Sequence, residues 1–552
     1  MPMEKKKSAQ LKNFQGICRT GLRWSVILLT GIFTMYTLLQ YIVKEREYLK
    51  YQKWIGTAIL AAAAVYVLIT VFTDREELAR IRAFARRLIS FEQVILILIL
   101  LWYLLGCAVR SRIDGEPLFK FNDNQLFMIT LSFFLFFPFV ELMGRYARRV
   151  LEGMIHFVML IYTPICAYCV YKYYRMELFQ FPSGLWLDND RISVSMKMGG
   201  NLNITAAAHL LLFGLCLYML LTQKRAVRII YAPVTLVYFL AVIVSGSRTS
   251  FLVLLFYSVV TASLFVWELL QNRAKTVRIG GALVTAAVVT VLVLALQSVI
   301  LRAFAKTYNE YMEKTYGLNS TDTVYAADED STVNADSAEK SDNSANTENS
   351  ANTAARTSTS PASFSEAELL LMAHKSGEET AAAVQARAEE DPDEDREKGT
   401  RKMNDLSGRP QVWKESVKII FSSPDHFLFG VSPCYVSSRL KKATGLGSAI
   451  NHAHNGLLQV GVGIGFPGMI LFLIFELSIV RRCLIILFKG KDVLFGHSWI
   501  LPVIIAGILI TELPEAMLFA MARFNVPVFY IITGCCVRMC RQLGEVNAAW
   551  RR

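Results

Sequence analysis

The chain has 552 residues, 54% of them hydrophobic and 19% charged, with a mean hydropathy of +0.38. That apolar share excludes an ordinary soluble domain and a wholly disordered chain, and makes a membrane protein the starting point. The net charge of +13 is not a nucleic-acid signature: residues 321–400 hold 19 Asp and Glu against six Lys and Arg, so the remainder carries +26. Most of that charge borders apolar runs, where anionic lipid headgroups attract basic side chains.

A helix that crosses a bilayer needs about 20 predominantly apolar residues. Runs of that kind lie at Leu22 to Val43, Trp54 to Thr73, Leu88 to Val109, Gln125 to Met143, Leu151 to Val170 and Ile204 to Thr222. Further runs lie at Ile229 to Val244, Ser250 to Leu270, Ile279 to Ile300, Gly456 to Val480, Ser498 to Leu518 and Val526 to Cys540. The expectation is an all-α polytopic helical bundle of about twelve spans, the last two interrupted by Glu512, Pro514 and Glu515. Lys5 to Lys7, Arg75 to Arg87, Arg145 to Arg149, Lys224 to Arg228, Arg273 to Arg278, Arg481 to Lys491 and Arg551 to Arg552 fall on one side if the spans alternate. The positive-inside rule makes that side cytoplasmic and puts both termini there, in the cytoplasmic membrane; the mixed-charge loop Lys44 to Lys53 is the one dissent. The first run is as long as a span and lacks a small-residue cleavage pattern, so it is expected to stay as a signal anchor.

The predicted organisation is a membrane domain over 1–300, an extracytoplasmic loop over 301–455, and a second membrane segment with a cytoplasmic tail over 456–552. Within the loop, 319–398 is rich in Ser, Thr, Asn, Ala, Asp and Glu and poor in aromatics, which reads as a flexible acidic insertion. Residues 407–422 read as an amphipathic surface helix: Ser407 near its start, Pro410 in its first turn, and Trp413, Val417, Ile420 and Phe421 at helical spacing. Of the ten cysteines most lie in or beside apolar runs and only Cys434 is in the outer loop, so no disulfide framework is available to it. The Cys166/Cys169 and Cys535/Cys536 pairs lack a second pair at zinc-finger spacing and read as small packing residues.

The candidate chemistry begins at His452-Ala-His454-Asn455, where a polar stretch meets an apolar run. In an extended loop the two imidazoles would share one side. They can bind a metal, act as acid or base near neutral pH, or cap the following helix; for a metal, His426 is the only further candidate nearby. Gly461, Gly465 and Gly468 give the next helix a face that a neighbour can approach closely. Arg248, in Ser245-Gly-Ser-Arg-Thr-Ser, is costly at a membrane boundary unless it is paired, meets an anion or snorkels to the interface, and its guanidinium fork suits phosphate oxygens. Arg409, one turn ahead of Trp413, is a second outer arginine, equally readable as ordinary surface charge. Asp188-Asn-Asp190 resembles the Asp-x-Asp of metal-dependent sugar transferases, too short a match to carry weight.

In this order, Gly200-Asn-Leu-Asn-Ile-Thr-Ala, Ser245-Gly-Ser-Arg-Thr, Gly408-Arg-Pro-Gln-Val-Trp, Phe429-Gly-Val, and His454-Asn455 with Gly465-Phe-Pro-Gly468 downstream resemble the O-antigen ligase and polymerase family. The acidic insertion departs from the pattern, as does Val431-Ser432 where a second glycine stands. The resemblance implies a fold like that of the C-type glycosyltransferases, with its site on the outer face and no cofactor or metal. The donor would be a glycan on undecaprenyl pyrophosphate, and the acceptor a hydroxyl of a lipid, glycan or protein. It implies His454 as general base, Arg248 and Arg409 as holders of the pyrophosphate, with Arg409 also stabilising the leaving charge, and His452 and Asn455 as supporting residues. Ligase and polymerase share these motifs, so a polymerase of the same family stands as the alternative. A transporter or lipid-linked glycan flippase is the alternative of another class, although the spans divide nine to three around the long loop and show no half repeat.

Overall fold

The computed structural model describes residues 2–39, 45–73, 90–114, 123–136, 138–143, 146–174, 202–245, 247–316, 409–433, 435–444, 452–489, 497, 499–516, 518–519 and 524–550. The acidic insertion, Asp188 to Asp190, Ser407 and Cys434 lie outside them. The described residues form helices and turns with no strand. The helices are α1 (Pro2–Leu39), α2 (Glu45–Thr73), α3 (Phe91–Asp114), α4 (Asp123–Phe136), α5 (Pro138–Met143), α6 (Ala147–Tyr174), α7 (Leu202–Thr222) and α8 (Arg225–Val244). They continue as α9 (Arg248–Leu269), α10 (Lys275–Tyr316), α11 (Arg409–Ile420), α12 (Pro424–Phe429), α13 (Val436–Thr444), α14 (Gly456–Lys489), α15 (Ile500–Glu512) and α16 (Asn525–Trp550).

Every predicted apolar run meets one of these helices, because in lipid a helix satisfies its backbone polar groups within itself. Among the described residues, seven stretches are long and apolar enough to cross a membrane: Thr20–Leu38, Phe91–Arg112, Ala147–Tyr171, Asn203–Thr222, Arg225–Val244, Arg248–Leu269 and Lys275–Ile300. The protein is an all-α polytopic membrane bundle. By its contacts the chain divides into Met1–Tyr311 with Gly408–Arg552, and Met312–Ser407. The second unit is described only through Tyr316, the end of α10.

Lipid supplies no hydrophobic drive between helices, so small residues and side-chain hydrogen bonds set the packing. The ring of Tyr257 on α9 lies against Gly214 of α7, where a β-carbon would be tight, and against Gly507 of α15, where one would collide with it. Its hydroxyl donates to the Ile504 carbonyl at 2.8 Å, locking three helices at one point. This junction places Arg248, roughly 14 Å farther along α9 at 1.5 Å per residue, at the end of the bundle where α15 finishes in Glu512.

α14 is two helices joined by a break, with Ile464 at φ −129° and Gly465 at φ 83°. A β-carbon at Gly465 would run into the Leu428 carbonyl, so that position needs glycine for both its conformation and the approach of α12. Two carbonyls just before the break, those of Val462 and Ile464, take donors from other segments. Trp102 of α3 gives its indole N–H to the carbonyls of Leu428 and Ile464, both at 3.1 Å, and the Val431 amide donates to Val462 at 2.8 Å. The three glycines expected to make a smooth face therefore do different work: Gly461 seats Ile420 of α11, Gly465 breaks the helix, and Gly468 nests against Ile464 across the break.

α11 forms where the sequence predicted a surface helix, but its buried face is turned by one residue. Val412, Ser416 and Ile420 are buried, whereas Val417 and Phe421 are exposed. The small Ser416 lets that stripe approach closely, and Ile420 fits the notch at Gly461. Phe421 instead joins Phe427 and Phe466 in an aromatic group, with ring centroids 5.6 and 5.8 Å away.

Candidate active site around Glu515

α15 ends at Glu512, ahead of Pro514, which has no N–H to extend a helix. The predicted run to Leu518 is thus cut short, and Glu515 sits in the turn that follows with its side chain fully buried. The charges expected merely to interrupt a span stand at the centre of a polar cluster.

Four side chains from three segments reach this carboxylate. Arg409, at the start of α11, donates to its Oε1 at 2.6 Å, and Asn203, at the head of α7, donates to the same oxygen at 2.7 Å. His454 Nδ1 lies 3.4 Å from Oε2, and His452 Nε2 lies 3.6 Å from it. The two imidazoles lie together, with ring centroids 4.1 Å apart, although the loop that carries them is bent and not extended. His452 is almost wholly buried, whereas the His454 side chain keeps 17% exposure. Burial pushes the Glu515 carboxyl up, while its contacts with His454, His452 and Arg409 pull it down; the contacts prevail and hold it below the ordinary 4.5.

The loop is held by its own backbone. His454 has φ 51°, the left-handed region that few residues with a side chain adopt. Its amide donates to Nδ1 of His452 at 3.1 Å, and its carbonyl accepts from the Trp413 indole at 2.9 Å. Arg409 and Trp413, one helical turn apart on α11, thus grip the carboxylate and the histidine loop together. Asn455 caps α14: its Oδ1 accepts the Leu458 amide at 2.9 Å, and its Nδ2 donates to the Leu513 carbonyl at 2.8 Å. Gly456 lies against the Glu512 carboxylate, where a β-carbon would not fit.

Of the predicted site residues, His452, His454, Arg409 and Asn455 are brought together on the turn that carries Glu515. Arg248 stands exposed at the first position of α9, whose N-cap Ser247 accepts the Ser250 amide, at the same end of the bundle. His426, expected as the only further metal-ligand candidate, is instead bonded to Ser422 at 2.6 Å. The third group beside the histidines is Glu515, and one ligand atom from each of the three lies within 4.8 Å of the others. Arg409 places a permanent cation on that same carboxylate, which opposes a second cation beside it. Glu515 and Asn203 were missed as site residues. The signal for Glu515 was a carboxylate at the end of an apolar run, where an ionisable group is costly without a partner; Asn203 lay within the quoted Gly200 to Ala206 segment.

Residues 233–473 match the family model described as O-antigen ligase. Over those 241 of its 552 residues the chain carries an O-antigen ligase domain. It is therefore an enzyme, a membrane glycosyltransferase of the O-antigen ligase and polymerase type. The matched residues include Arg248, Arg409 and His452 to Asn455, whereas Asn203 precedes them and Glu515 follows. No curated protein matches the chain.

Proposed function

We propose that this protein transfers a glycan from undecaprenyl pyrophosphate to a hydroxyl acceptor on the outer face of the cytoplasmic membrane, with His454 as general base and without a metal. The observation that carries this reading is the convergence of His454 and Arg409 on one buried carboxylate, Glu515.

With Nδ1 of His454 directed at Glu515, its Nε2 is the nitrogen left to take a proton from the acceptor hydroxyl. The acceptor oxygen then attacks the anomeric carbon and the bond from that carbon to the pyrophosphate oxygen breaks. The acceptor proton ends on His454, and the electron pair leaves on undecaprenyl pyrophosphate. Direct attack inverts the anomeric centre. Arg248 and Arg409 take the pyrophosphate oxygens, and Arg409 meets the charge that grows as the bond breaks. Glu515 stabilises the imidazolium and holds the ring, as the acidic member of a hydrolase triad does. His452 and Asn455 fix the loop.

The test is His454→Ala with membrane insertion confirmed. Lipid-linked glycan should accumulate while transfer stops; undiminished transfer would remove His454 as the base. The linkage of the product reports the stereochemistry, and retention would exclude direct attack.

A further inference from the structure

At the end of α7 remote from Asn203, α1 and α6 enclose an open apolar groove of about 490 Å³. Its remoteness from Glu515 follows from α7, whose first turn carries Asn203 and whose last carbonyl, at Thr222, accepts from Arg148 of α6 at 3.4 Å. Trp24, Leu28, Gly31, Gly153 and Phe157 line it. Gly153 has open space where a side chain would stand, so the two glycines form part of its hollow. The helices run in parallel register here, Trp24 beside Tyr146 and Gly31 beside Met154, which gives the groove a length of roughly 12 Å from Trp24 to Ile32.

Its two ends differ. The Trp24 end carries Arg23, stacked over the Tyr146 ring at 5.3 Å, Arg148, paired with Glu152 at 2.8 Å, and Arg149. Arg149 lines the groove, is exposed, and makes no ion pair or hydrogen bond to another described residue. The other end is apolar. A cationic mouth that opens into an apolar trough along the membrane normal is complementary to an amphiphile with an anionic head and a hydrocarbon chain, and its volume lies in the range of small-molecule sites.

We propose that this groove is a binding site for one anionic phospholipid, with its phosphate at Arg149 and one acyl chain between Gly31 and Gly153. The positive-inside reading puts it in the inner leaflet, separate from the transfer reaction. Arg149 is the residue that selects the headgroup, and the glycines admit the chain.

Trp24 supplies the readout. The full-length protein is reconstituted in phosphatidylcholine vesicles containing increasing fractions of phosphatidylglycerol with brominated chains, and Trp24 quenching is taken as the difference between the wild type and Trp24→Phe. Quenching should reach half its maximum at a fraction of brominated phosphatidylglycerol about fivefold or more below that of brominated phosphatidylcholine, the factor expected for one arginine at a membrane surface. Arg149→Glu should abolish that preference, Gly153→Leu should abolish the specific quenching, and Arg149→Lys should keep both. Equal profiles for the two lipids, or a preference that survives Arg149→Glu, would overturn the site. Relief of quenching by equimolar undecaprenyl phosphate would also overturn the assignment to a phospholipid. Should Gly153→Leu fail to fold, the exposed Arg149→Glu still decides the matter.

Discussion

Glu515→Gln separates the carboxylate's charge from its shape. In the native protein Oε1 accepts two charge-assisted bonds, from Arg409 at 2.6 Å and Asn203 at 2.7 Å. Such bonds contribute about 1.5–3 kcal/mol and ordinary ones about 1, so an amide oxygen that keeps both costs roughly 2–3 kcal/mol of stability. This is less than the roughly 3–5 kcal/mol of stripping a partner from a buried pair, and the protein should still insert. For catalysis the relevant comparison is the triad aspartate, whose amide substitution costs about 10⁴ in rate in the serine proteases. Here the contact is longer, 3.4 Å, and Trp413 holds the His454 backbone independently. A loss of about 10²–10³ follows, or roughly 2.7–4 kcal/mol at 1.36 per decade. The assay is transfer of a labelled glycan from undecaprenyl pyrophosphate to acceptor in proteoliposomes, for the wild type, Glu515→Gln, His454→Ala and the double variant. If the two residues act as a unit, the double variant is no slower than His454→Ala alone. Additive losses, or Glu515→Gln within about threefold of wild type, would refute the coupling.

Arg248→Lys keeps the charge and loses the fork, so the transfer rate should fall roughly tenfold to hundredfold with protein level unchanged; loss of the protein itself would indicate a packing role. Gly465→Ala imposes φ 83° on a residue with a side chain and drives its β-carbon into the Leu428 carbonyl; thermal unfolding in detergent should show a loss of roughly 2–5 kcal/mol. Because Glu515 is held below 4.5, its contribution to stability is whole above that value and is lost as pH falls through its folded-state value. The stability gap between the wild type and Glu515→Gln should accordingly narrow as pH drops below 4.5, and a constant gap would show that the carboxylate is not held down by its partners. Transfer should survive a strong chelator at full rate, since Arg409 already supplies the cation at Glu515; loss restored by a divalent ion would assign His452, His454 and Glu515 as metal ligands.

The spans were legible because hydropathy and length follow from the bilayer's thickness and need no partner. The histidine loop and Arg409 were legible as residue types that need partners at a membrane boundary, without the partner being visible. The face of α11 was misplaced by one residue because Phe421 and Val417 satisfied the periodicity while the notch at Gly461, far along the chain, selected Ile420 and the small Ser416. The departure noted at Val431-Ser432 has a counterpart in the backbone, where Ser432 takes φ 71° in place of a glycine.

By itself the sequence determined that this protein is a multi-span helical bundle with a polar junction ahead of α14, since both are set by local composition. Only the tertiary structure decided what His454 and Arg409 have in common. Glu515 lies 61 residues beyond His454 and 106 beyond Arg409, and read alone it is a charge that spoils the end of a span. Burial is what changes its meaning: a carboxylate fully removed from water must gather donors, and the residues it gathers come from the starts of α7 and α11 and the loop before α14.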